Sequence, residues 1–140
     1  MPQSKLLVDS GFLYALHDRD DENNVPVSAI AELYRGEFII PYVVRTEAAF
    51  LFRRAGGALR VAQFLAALMK GSYRYEIVSP DDLIRASSIM TQYADDNLDF
   101  VDCCIMALSE RLTVTQICTL DRRDFSMFRP VHCEYLELLP

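Results

Sequence analysis

Short apolar runs closed by turn-forming residues alternate along the chain with longer stretches whose apolar positions recur every three or four residues. Lys5-Leu6-Leu7-Val8, ending in Asp9-Ser10-Gly11, has the length of a buried strand that stops at a turn or helix start. Phe12 to Leu16 follows as an apolar patch of helical length. The polar stretch His17 to Asn24 reads as a loop before a helix starting near Val25 to Ser28. Phe38-Ile39-Ile40 is a second strand, closed by Pro41. Val43 to Arg54 has helical spacing and stops at Ala55-Gly56-Gly57, and Leu59 to Met69 is a further amphipathic helix ended by Gly71.

Tyr73 to Val78 alternates as a strand does. Ser79-Pro80-Asp81-Asp82 opens the next helix, with Ser79 as its cap and Pro80 at its first position. That helix runs to about Tyr93 and gives way to the polar Ala94-Asp95-Asp96-Asn97. Leu98 or Asp99 to Arg111 is the most apolar helix of the chain. Val114 to Leu120 and Val131 to Leu139 are the last two expected strands. Strands alternating with helices predict an α/β fold with a mainly parallel central sheet. The length of 140 residues, 51% of them hydrophobic and 24% charged, fits a single domain over residues 1–140 with a real core, and no repeat or linker interrupts it.

No window approaches the roughly 20 apolar residues of a membrane helix. The N-terminal Met1-Pro2-Gln3-Ser4-Lys5 with its short apolar run is too brief for a signal peptide, so a cytoplasmic protein is expected. The four cysteines agree with that. Cys103 and Cys104 are adjacent on a helix, and Cys118 and Cys133 sit in segments that read as strands, so no zinc spacing appears and free buried thiols are expected. The formal net charge of −6 argues against nucleic acid at first sight. A carboxylate site built around divalent cations makes such a count too negative, because each ion adds two positive charges.

In a parallel α/β sheet, ligands gather at the carboxyl ends of the strands. Asp9 directly follows the first strand, and Asp121 directly follows Cys118-Thr119-Leu120. Turn or cap roles would also explain both. Glu47, in Thr46-Glu47-Ala48-Ala49-Phe50-Leu51, and Asp102, in Phe100-Val101-Asp102-Cys103-Cys104, each place a charge early in a mostly apolar helix. A carboxylate buried without a partner costs several kcal/mol, so each needs a cation, hydrogen bonds or a raised pKa. A salt bridge to Arg45, Arg53 or Arg111 is the structural alternative. Taken together, two acids at strand ends and two at helix starts can converge on one crevice, with no histidine or lysine to complete another catalytic set. Oxygen-only clusters suit magnesium or manganese rather than zinc, and two such ions about 4 Å apart can activate a water and stabilise the leaving oxygen in phosphodiester cleavage. Asp99 and Asp124 are auxiliary candidates: Asp99, one helical turn before Asp102, could share its face, but a cap role is favoured for Asp99 and a turn role for Asp124.

The series Leu7-Val8-Asp9-Ser10-Gly11, Glu47 early in the helix after Pro41, Leu98-Asp99-Phe100-Val101-Asp102, and Thr119-Leu120-Asp121-Arg122-Arg123-Asp124-Phe125 resembles the PIN-domain nucleases, especially the VapC-like toxins of prokaryotic toxin–antitoxin pairs. The resemblance spans essentially the whole chain. It implies a three-layer α/β/α sandwich, Mg2+- or Mn2+-dependent endoribonuclease activity, frequent homodimers and a cognate antitoxin whose tail covers the active site. By the same resemblance Asp9, Glu47, Asp102 and Asp121 map onto an acidic metal-binding quartet, and Ser10 and Thr119 onto positions that can help to orient the metal or its water. The loop His17 to Asn24 departs from family members by carrying asparagines where a histidine is often seen.

Hydrolysis of single-stranded or looped RNA, leaving a 3'-hydroxyl and a 5'-phosphate, is the expected reaction. Arg53, Arg54, Arg60, Arg122 and Arg123 lie near enough in sequence to contact phosphates, although solvated surface charge explains most of them. Phe50, Phe52, Tyr73 and Tyr75 fit a core better than base stacking, yet the segment from Phe50 to Phe64 reads as exposed and aromatic-rich, a surface for an antitoxin. Two readings compete with a nuclease. One is a binding module that uses the acidic crevice without turnover. The other is a phosphoaspartate phosphohydrolase, which wants a second acid two residues after the nucleophile; Asp9 is followed by Ser10 and Gly11, and the lysines are only Lys5 and Lys70.

Overall fold

Lys5–Val8 (β1), Glu37–Pro41 (β2), Arg74–Glu76 (β3), Gln116–Cys118 (β4) and Glu137–Leu139 (β5) pair into one sheet in the order β3-β2-β1-β4-β5. Every pairing is parallel. The computed structural model describes residues 4–140. Met1-Pro2-Gln3, part of the segment read above as too short for a leader, lies outside the described residues. β1 is central, with Leu7 aligned to Ile39 on one side and Ile117 on the other, and it is buried from Leu6 onward. A continuous apolar run is what a strand covered on both faces requires.

The helices are Ser10–Leu16 (α1), Asn24–Leu33 (α2), Tyr42–Lys70 (α3), Pro80–Gln92 (α4), Phe100–Arg111 (α5) and Arg122–Met127 (α6), with a single 3-10 turn at Ala94–Asp96. Passing from β1 to β2 to β3 moves the chain one way across the sheet; β3 to β4 to β5 moves it back. Right-handed crossovers then place α1, α2 and α3 on one face and α4, α5 and α6 on the other. In agreement, α1 packs on α2 and α3, and α5 packs on α4 and α6. No helix is long and apolar enough to cross a membrane among the described residues.

The two helices expected on either side of Gly56-Gly57 run on as one broken rod. Gly57 has φ 75° and ψ −167°, a conformation open essentially to glycine alone. The break lets Phe52 and Phe64 turn inward and stack at 4.6 Å between ring centroids. Both are buried, which corrects the expectation of an exposed aromatic segment; the exposed apolar side chains there are Phe50, Leu59 and Leu65. Gly57→Ala is expected to cost about 1–3 kcal/mol, read as a lowered urea midpoint.

β4 and β5 are shorter than the alternation predicts. The stretch before β5 is held by side chains instead of a ladder: Val131 N donates to Glu110 at 2.9 Å, and His132 Nε2 meets the Val114 carbonyl at 2.7 Å. Cys133 therefore lies in a bend, not a strand. Cys103, Cys104 and Cys118 are free and buried. Burial pushes their thiols up to about 12, 11 and 12, so they act as small apolar core residues.

Candidate metal centre

The chain leaves β1 toward β2 on one side and enters β1's other neighbour, β4, only after crossing back, so a crevice opens at the carboxyl ends of β1 and β4. Asp9 continues the ladder through its backbone, donating N–H to the Cys118 carbonyl at 2.9 Å, and then starts α1 as its N-cap. Its carboxylate accepts from Ser10 N at 2.7 Å and from the Thr119 hydroxyl at 2.8 Å. Thr119 in turn accepts from Asp121 N at 3.0 Å, so one buried hydroxyl ties together the ends of both strands. Across the crevice, the buried Ser10 hydroxyl donates to Glu47 on α3.

Asp102 enters from the first turn of α5 and is 5% exposed. Asp99 caps that helix, accepting from Val101 N and Asp102 N at 3.1 and 3.4 Å, as the sequence predicts. Asp9, Glu47, Asp102 and Asp121 all line one open cleft of about 720 Å³, together with Ser10, Phe50, Arg54 and Asp99. Their burial differs. Asp9 and Asp102 are buried, Glu47 is half-buried and Asp121 is exposed.

The salt-bridge alternative does not occur. Arg111 binds Asp82 at 3.0 Å and Glu76 at 3.1 Å, and Arg45 lies over the rings of Tyr42 and Tyr75. Among the described residues none of the four acids forms an ion pair. Unrelieved burial raises the Asp9 carboxyl to about 6; its hydrogen bonds to Thr119 and Ser10 oppose the rise, while the charges of Glu47 and Asp121 add to it. Asp102 is pushed further, to about 9, by burial and then by Asp9, Asp124, Asp99 and Asp121. Burial and mutual repulsion both disfavour the charged forms of these acids, and a divalent cation between them would relieve both.

A family model described as the PIN domain matches residues 6–129. The chain belongs to the PIN-domain family. Among its relatives, Ribonuclease VapC26 of Mycobacterium tuberculosis is 27% identical over 127 residues, which cover 90% of this chain and 93% of the relative. The solved structure of Mycobacterium tuberculosis VapC20, described as a Sarcin-Ricin loop cleaving toxin, has a TM-score of 0.80 at 20% identity, covering 92% of this chain and 98% of that one. A toxin–antitoxin complex from Klebsiella pneumoniae has a TM-score of 0.68 at 17% identity, covering 94% and 98%. The all-parallel sheet between two helical layers is the PIN fold, as the sequence predicts.

A fifth acid, auxiliary in the sequence reading, stands beside these four. Asp124, expected in a turn, is buried inside α6 and offers an oxygen that lies within 4.8 Å of oxygens from Asp102 and Asp121. The signal was present in Asp121-Arg122-Arg123-Asp124. An N-cap aspartate accepting from Arg123 N at 3.1 Å puts the acid three residues later on the same first turn. Arg123 partly neutralises Asp124 at 2.7 Å. The oxygen-only donor set and the surplus of buried negative charge both fit a hard divalent cation in this PIN domain.

Proposed function

We propose that this PIN domain is an endoribonuclease that depends on Mg2+ or Mn2+ and serves as the toxin of a toxin–antitoxin pair. The observation that carries the reading is the convergence of Asp9, Glu47, Asp102 and Asp121 on one open cleft, with none of the four in an ion pair among the described residues. The VapC character of the relatives supports the choice of RNA. Asp9 and Asp102 would be the principal ligands, with Glu47, Asp121 and Asp124 completing the donor set. A divalent cation held there would supply Lewis acidity that lowers the pKa of a water and offsets negative charge growing on the phosphoryl and leaving oxygens.

The chain's own contribution is positioning. Ser10 holds Glu47, Thr119 holds Asp9 and Asp121, and Asp99 fixes the start of the helix that carries Asp102. Thr119→Val removes the donor that fixes Asp9 and is expected to weaken Mn2+ binding about 10- to 100-fold by calorimetry. We further propose cytoplasmic action, a small antitoxin partner and a homodimer; the exposed Leu59 and Leu65 on α3 and Ile84 on α4 offer apolar surface for such contacts.

Incubating a labelled structured RNA with the protein tests the reading. Cutting is expected with Mg2+ or Mn2+, none with EDTA, and a rate at least about 100-fold lower in Asp9→Asn. No cutting of any RNA, together with no heat of Mn2+ binding, would replace the nuclease with a binding module.

A further inference from the structure

Five arginines lie within reach of the site in sequence, yet the fold disposes of four. Arg60 pairs with Asp18 at 3.7 Å and sits over the Phe52 ring. Arg122 donates to the Pro140 carbonyl at 2.6 Å, and Arg123 is engaged with Asp124. Arg53 lines a neighbouring apolar groove with Ala49, Val61 and Leu65, and Phe50 stands between that groove and the cleft. Arg54 alone lines the acidic cleft as a cation, exposed and in no ion pair among the described residues.

Its place on α3 is systematic. Glu47, Phe50 with Leu51, and Arg54 are spaced by three or four residues, so they form one stripe along the helix before the break at Gly57. Seven residues at about 1.5 Å each separate Glu47 from Arg54 by about 10 Å, a length of about three stacked nucleotides. Between them stands Phe50, with 59% of its surface exposed. A large ring left in solvent beside a charged cleft is not part of the core, and a base offers it a π-face to cover.

We propose that Arg54 is a positioning residue that grips an RNA phosphate within about three nucleotides of the cut, while the Phe50 ring stacks an intervening base. The proposal rests on the nuclease reading above. In a chain of net charge −6, it also sets one positive charge in the same cleft as the acid cluster. A planar guanidinium can hold phosphate in a bidentate grip that an ammonium cannot reproduce.

The test is steady-state cleavage of a short labelled RNA by wild type, Arg54→Gln, Arg54→Lys, Phe50→Ala and Phe50→Tyr, repeated over a range of salt. Arg54→Gln is expected to raise KM about tenfold with kcat nearly unchanged, and to lower the slope of log(kcat/KM) against log salt by about one. Arg54→Lys should recover the slope but only part of KM. Phe50→Ala should raise KM about tenfold, and Phe50→Tyr should restore it. Wild-type cleavage with KM and salt slope unchanged in Arg54→Gln overturns the role of Arg54 and leaves the nuclease intact. Wild-type protein that cuts no RNA in Mg2+ or Mn2+ overturns both.

Discussion

Asp102→Asn should make the metal-free protein more stable at pH 8 while removing its activity. The side chain is buried and faces the charges of Asp9, Asp99 and Asp121, so its carboxyl is raised to about 9 from the ordinary 3.8. A folded-state pKa above the unfolded one means that the folded protein binds the extra proton, and stability falls as pH rises from about 4 toward 9. The asparagine amide keeps the shape and carries no charge. The metal-free variant should therefore melt at least about 3 °C above wild type at pH 8, with the gap closing near pH 4. Cleavage should fall by more than about 100-fold if Asp102 is the direct ligand proposed above, since losing such a ligand exceeds the usual effect of losing a supporting group. A variant that melts below wild type at pH 8 and still cuts would contradict both halves. Residues that destabilise a fold for the sake of chemistry are the usual source of such trade-offs.

Adding Mn2+ to the metal-free protein should raise its melting temperature far more at pH 8 than at pH 5.5. Asp9, raised to about 6, and Asp102, raised to about 9, must lose protons before their oxygens can serve as ligands. Below pH 6 protons compete at both positions. Each proton displaced on binding changes the apparent affinity about tenfold per pH unit. The signs of the two effects are opposed: without cation the fold weakens as pH rises through 6 and toward 9, and with cation that loss is offset. Differential scanning fluorimetry at several pH values reads both curves. An increment that does not depend on pH would show that Mn2+ binds elsewhere.

Most of the centre was legible because each acid breaks a local pattern. Asp9 and Asp121 interrupt chain that has just left a buried strand, and Asp102 interrupts a helix otherwise apolar from Val101 to Leu108. Glu47 was legible for the same reason, although it is only half-buried, since α3 presents it to the cleft and not to the core. Asp124 stays an auxiliary candidate in the sequence because α6 has only six residues, too few to show a helical period that would separate its cap pattern from a turn. The inward turn of Phe52 and Phe64 depends on the re-aiming of α3 at Gly57, which neither half of the helix encodes by itself. Which arginine faces the cleft depends on helix phase measured from Glu47; Arg53 and Arg54 are neighbours in sequence but open onto different grooves. The lengths of β4 and β5 escaped because Glu110 and His132 satisfy the preceding backbone in place of a strand partner.

In the proposed reaction, carboxylates direct water, not a ribose hydroxyl, at phosphorus. End-group analysis of the RNA products distinguishes the two. Fragments carrying a 5'-phosphate and a 3'-hydroxyl, formed with Mg2+ or Mn2+ and absent with EDTA, are the predicted result. Fragments ending in a 2',3'-cyclic phosphate, formed equally well in EDTA, would contradict it.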